Sequence, residues 1–169
     1  MSGAYNSATP SHSRTYTVAA APGSPPGAAT MGNATGTSTT VSYTWSTPAN
    51  NGLALDQFHL QVDTSPADFV GLFREDVGSW RTAFGPIPGL TPGATYHARV
   101  RAHNSAGWGS FSGNEIYTAP PVVPSKPANP IMSAITSAGA TVGYGTLPAD
   151  GGAAVDQWQF QYATNTGFT

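Results

Sequence analysis

The 169 residues contain no cysteine, so no disulfide can staple the chain and any fold must rest on its apolar core. Charge is scarce as well. Charged residues make up 8% of the chain, six basic against eight acidic, for a net charge of −2. A nucleic-acid binder needs a basic stripe, and this balance supplies none. Only one of the basic residues is a lysine, Lys126. With abundant Ala, Gly, Pro and Thr, that bias goes with GC-rich coding and says nothing of mechanism. No run of eighteen apolar residues occurs, so no membrane span is expected. The opening Met1-Ser-Gly-Ala-Tyr-Asn6 has neither a basic start nor an apolar core, and no secretory leader is expected there.

Turn residues are plentiful instead, with 20 glycines and 15 prolines. They fall between strand-like runs at regular intervals, which predicts an all-β chain. The clearest run follows the turn Pro92-Gly93. Tyr96, Ala98, Val100 and Ala102 point one way, and His97, Arg99, Arg101 and His103 the other. Asn104-Ser105-Ala106-Gly107 ends it with turn chemistry.

The stretch from Leu90 to Ser112 reads L-x-P-G-x-x-Y-x-x-x-V-x-A-x-N-x-x-G-x-G-x-x-S. It resembles the E–F corner, strand F and F–G loop of a fibronectin type III domain. The resemblance implies an immunoglobulin-like β-sandwich. Tyr96 would be the corner tyrosine whose hydroxyl bonds back to the backbone near the turn. Leu90 would plug the bottom of the core, and Val100 would be a core residue of strand F. Thr39–Trp45 alternates with Val41, Tyr43 and Trp45 on one face, and Trp45 matches the family's core tryptophan on strand B.

One complete domain is then expected over residues 22–119, close to the usual ~100 residues of such a sandwich. Strand A is expected near Ala28–Ala34 with a turn at Gly36, and Pro48–Gly52 as the B–C loop. Phe58, Leu60 and Val62 are the inward residues of strand C, with His59 and Gln61 outward. Phe69–Phe73 suggests a C′ segment, Trp80–Ile87 should contain strand E, and Asn114–Ala119 is strand G. Partial repeats flank the complete one. Residues 1–21 are read as the end of a preceding repeat, because Ala4-Tyr-Asn-Ser-Ala8 echoes Ala102-His-Asn-Ser-Ala106; an N-terminal arm is the alternative. Residues 120–130 form a proline-rich linker that should hold its neighbours apart, with few contacts between them. Residues 131–169 begin a second repeat with strands A, B and C. There Pro148-Ala-Asp-Gly-Gly-Ala-Ala-Val-Asp-Gln157 follows Pro48-Ala-Asn-Asn-Gly-Leu-Ala-Leu-Asp-Gln57 at an offset of 100, and Trp158, Phe160 and Tyr162 replace Phe58, Leu60 and Val62. Tyr144-Gly145 stands where Trp45 would be.

No catalytic constellation emerges. Glu75-Asp76 reads as a solvated loop whose side chains diverge, and no serine sits in a Gly-x-Ser-x-Gly elbow. No cofactor is implied. His97 and His103 share a strand face but lie about 20 Å apart. A His59–His97 pair across strands C and F would lack a carboxylate, so no metal site is expected. Trp108 and Phe111 are the binding candidates, as large aromatics expected on an exposed F–G loop. Trp108-Gly-Ser-Phe-Ser112 is similar to the Trp-Ser-x-Trp-Ser motif of cytokine receptors of this fold, with two of five positions changed.

The resemblance implies a structural and adhesive role. Cysteine-free, lysine-poor, Ala/Gly/Thr/Pro-rich repeats are similar to those on tail and tail-tip proteins of phages that infect GC-rich bacteria. The expected location is the virion, with other tail proteins or copies of itself as partners and host-surface glycans as weak ligands. The alternative is a spacer from a secreted bacterial glycoside hydrolase or a cell-surface protein.

Overall fold

The structure, a computed structural model, describes residues 22–67 and 69–162. The readings made on residues 1–21 and on the end of the second repeat lie outside the described residues. Eight strands build two antiparallel sheets: β1 (Thr35–Gly36), β2 (Thr40–Thr44), β3 (Leu55–Asp63), β4 (Arg74–Ser79), β5 (Ala83–Pro88), β6 (Thr95–Asn104), β7 (Gly107–Trp108) and β8 (Glu115–Thr118). One sheet has the order β1-β2-β5. The other has β4-β3-β6, with β7 and β8 both pairing with β6. A separate hairpin joins β9 (Ile131–Thr136) to β10 (Gly139–Gly143).

Alternation decides which side chains face the core. Strand β2 and the residue after it bury Val41, Tyr43 and Trp45, β3 buries Phe58, Leu60 and Val62, and β6 buries Tyr96, Ala98 and Val100. Ile87 and Leu90 complete one apolar cluster with these residues. The ring of Trp45 lies 5.5 Å from that of Phe58, which in turn meets Phe84 at 5.7 Å. All-β packing of two sheets around this cluster matches the architecture expected from the sequence.

Three expectations are corrected. The strand near Ala28–Ala34 is a bridge, Met31 to Trp45, followed by the two-residue β1. It meets Thr44–Ser46 through separate hydrogen bonds, Ser46 N–H to Thr30 O, Gly32 N–H to Thr44 O and Thr30 N–H to Ser46 Oγ. Gly36 ends β1, and the turn follows it, with Thr37 N–H donating to Thr40 O at 2.8 Å. The C′ position belongs to Arg74–Ser79 rather than Phe69–Phe73. Phe69 adopts φ of 52°, a conformation no strand uses, and its ring is buried.

Beyond residue 130, β9 and β10 stand where strands A and B of a second repeat were expected. Residues 144–162 hold no strand. In the complete unit the corresponding β3 is hydrogen-bonded on both sides, by β4 and β6. Among the described residues after 130 there is no counterpart of either, so Val155–Tyr162 has no ladder to join.

Candidate functional site

The sheet face turned away from the core carries the most organised set of polar groups. Strand β6 presents His97, Arg99, Arg101 and His103 there, and the register sets Asp63, Gln61, His59 and Gln57 of β3 opposite them in that order. Strand β4 brings Glu75 beside Gln61. The result is a continuous chain of hydrogen bonds. Arg99 Nε donates to Gln61 Oε1 (2.9 Å), Gln61 Nε2 donates to Glu75 Oε1 (3.2 Å), and His59 Nε2 meets that same oxygen at 2.6 Å. Arg101 Nε closes the set by donating to His59 Nδ1 at 3.1 Å. An arginine N–H can only donate, so Nδ1 of His59 accepts and its proton sits on Nε2, aimed at Glu75. Hydrogen bonds from Gln61 first, and then from His59, hold the Glu75 carboxyl below the usual range.

Aromatic rings cover this layer. Same-face neighbours on a strand stand about 6.7 Å apart, close to twice the ~3.5 Å at which flat groups touch. One ring therefore fits between Arg99 and Arg101, and it is Phe111, at 4.2 and 4.5 Å from the two guanidinium carbons. Phe69 covers the other side of Arg99 at 4.1 Å, and Trp108 the other side of Arg101 at 4.9 Å. The row runs Phe69, Arg99, Phe111, Arg101, Trp108, and ends on His103, whose ring is tilted 60° to that of Trp108 with centroids 4.8 Å apart. His103 Nδ1 also pairs with Asp56 Oδ1 at 2.7 Å.

Trp108 and Phe111 are therefore half-buried on the sheet, not displayed on an exposed loop. The backbone explains it. Gly109 N–H donates to Ala102 O, and Ser112 grips Val100 from both sides, its N–H on the carbonyl (2.8 Å) and its Oγ accepting from the amide (3.0 Å). Those bonds hold the F–G segment along β6 and lay both rings over the arginines. His59 and Gln61 point outward as expected, yet both are buried, His59 beside the rings of Trp108 and Phe111.

Register corrects the reading of the histidines. His59 stands opposite Arg101 and not His97, so the histidine pair across the strands does not form. Among the described residues, no three His, Asp or Glu side chains gather as metal ligands. Glu75 and Asp76 lie in β4 rather than in a loop, Glu75 engaged as above and Asp76 held by both Nε and Nη2 of Arg74 at 2.6 and 2.8 Å. The face offers stacking surfaces and occupied hydrogen bonds, with no activated nucleophile.

The sequence model of the fibronectin type III domain matches residues 24–118, more than half of the chain. The chain belongs to the fibronectin type III family. Among solved structures it is similar to the sixth type III domain of human fibronectin type III domain containing protein 3, at 23% identity and TM-score 0.47, covering 68% of this chain and 97% of that one. It is also similar to the type III domain of the human KIAA0970 protein, at 25% identity and TM-score 0.43, covering 64% and 85%. The FN1–FN3 domains of chicken CNTN1 match at 18% and 0.45, covering 59% of this chain and 33% of theirs. No curated protein sequence matches.

The type III corner is in place: Thr91 N–H donates to the Tyr96 hydroxyl at 2.9 Å, five residues away. Leu90, Trp45 and Val100 are buried in the same core. After the matched domain, Tyr144, Trp158 and Phe160 line a cleft of about 360 Å³ against Lys126–Pro130. Trp158 and Phe160 stand at an offset of 100 from Phe58 and Leu60, but are exposed where those two are buried.

The sequence reading missed Phe69, Arg99, Arg101, His59, Gln61 and Glu75 as parts of one assembly. One signal was available: two arginines at i and i+2 on a strand, followed by aromatics three residues apart in the segment that returns alongside.

Proposed function

We propose that the chain is a structural component of a virion, a segment of a phage tail or tail-tip protein whose type III units act as spacers and make weak contacts with the host surface. The observation that carries this reading is the repeat at an offset of 100, joined through a proline-rich segment. Units that recur at a fixed interval serve reach and copy number. Composition supports the setting: a chain with no cysteine and one lysine among Ala, Gly, Pro and Thr resembles tail repeats of phages from GC-rich hosts. Its partners are other tail proteins or copies of itself.

Host glycans are the ligands this reading assigns to Trp108 and Phe111. Both rings are half-buried, so contact is limited to their outer rims, and each unit binds weakly while many copies bind well. No step of chemistry is assigned to the chain. An antibody raised against it should label tails in electron micrographs of phage particles from a host lysate. Antigen found only in particle-free culture fluid, or on bacterial cell walls, would refute the virion reading and favour a secreted or surface-anchored spacer.

A further inference from the structure

Three backbone contacts meet where the complete unit joins the repeat that follows. Ala119 is wholly buried and bonded to the corner through both of its peptide groups: Gly93 N–H donates to its carbonyl, and its own N–H donates to Ala94 O, each at 2.9 Å. Three residues on, Val122 N–H donates to Gly151 O at 2.8 Å. The third contact is direct. The Pro92-Gly93 turn lies backbone to backbone against the Gly151-Gly152 turn. A Cβ on Gly93 would fall 2.7 Å from Gly152 Cα, and one on Gly152 would fall 2.7 Å from Gly93 N. No real Cβ sits that close to backbone, so a side chain at either position would push the turns apart.

Proline alone would make this linker a semi-rigid spacer of ~3.1 Å per residue. Anchored at Ala119 and again at Val122, it has almost no free length. We infer that the Pro92-Gly93 corner is an interaction surface for the B–C turn of the next type III unit, and that glycine on both sides clamps the two units at one fixed angle. The partner it fits is a turn of two successive positive-φ residues with glycine second. Gly151 and Gly152 supply this at φ of 71° and 90°. Asn51 and Gly52 repeat the geometry at 52° and 85°. Gly52 N–H bonds to Asn50 Oδ1 (3.2 Å) as Gly152 N–H bonds to Asp150 Oδ1 (2.9 Å). A Cβ on Gly52, however, would meet nothing within 4 Å.

That matched pair makes the test. The chain has no cysteine, so Ser105→Cys and Ser137→Cys, both at exposed positions, take spin labels cleanly in the full-length chain. Pulsed dipolar spectroscopy should give a narrow distance distribution. Gly152→Asn and Gly93→Asn should each lose it for the broad one of a free linker, since asparagine tolerates positive φ but carries a Cβ. Gly52→Asn should keep the narrow distribution. An unchanged unfolding transition of the complete unit confirms that each variant is folded. A broad distribution in the parent would overturn the inference, as would Gly152→Asn and Gly93→Asn both retaining the narrow one. So would equal broadening by Gly52→Asn, which would assign the effect to turn strain.

Discussion

Two tyrosines of the core test how hydrogen bonding and burial share the work. The Tyr96 hydroxyl accepts from the Thr91 amide, whereas the Tyr43 hydroxyl is buried with no partner among the described residues. Burial pushes the Tyr43 phenol well above its ordinary value, because the charged form would be desolvated. Tyr96→Phe should therefore cost about 1–2 kcal/mol in urea unfolding, as it strands a backbone donor. Tyr43→Phe should cost less than about 0.5 kcal/mol or stabilise, since it removes a polar atom that forms no bond. Trp45→Ala is the severe case. It empties a site 4% exposed and leaves Phe58 without the tilted ring beside it, for an expected loss of about 3–5 kcal/mol. A Trp45→Ala variant as stable as the parent would show that the cluster does not hold the sheets together.

Among the elements, the outer face of β3 and β6 behaves as a second, smaller core. A double-mutant cycle on Arg101 and Trp108 should give a coupling of about 0.5–2 kcal/mol, the range from exposed to desolvated cation–π pairs. Zero coupling would mean that the two merely lie near each other. Acid should loosen the same face through Glu75. Its folded-state pKa is lowered, so the stability it adds is whole above the unfolded value of about 4.3 and is lost as pH falls through the folded value. The unfolding midpoint of Glu75→Gln should accordingly fall less between neutral pH and pH ~3 than the parent's. The inward half of this fold was legible in the sequence, because Val41, Tyr43, Trp45, Phe58, Leu60, Val62, Tyr96 and Val100 follow a period of two. The outward half was not. A polar residue at an outward position reads as solvated, and nothing local to His59 or Arg99 tells that Trp108 and Phe111 meet the first and Phe69 covers the second. The aromatic run at Phe69–Phe73 read as a strand for a related reason: its residues cover neighbours, Phe69 on Arg99 and Phe73 on the edge of Tyr96, and the covering requires a non-strand backbone.

For the whole molecule, the repeat at an offset of 100 was visible in the residues, while the way the units meet was not. The proline-rich segment suggested neighbours held apart, and glycines at 93 and 152 are common turn residues whose contact no spacing rule anticipates. A unit whose sheet-face cationic and aromatic side chains are half-buried against each other offers a ligand little more than their outer rims. On the proposed reading its value lies in repetition. Flow cytometry of bacterial host cells, comparing labelled monomer with the same chain displayed in many copies on one particle, tests this most directly. Monomer binding should be no tighter than about 1 mM, with retention on cells only in the multivalent form and reduced there by Trp108→Ala. Micromolar or tighter binding by the monomer would contradict the account.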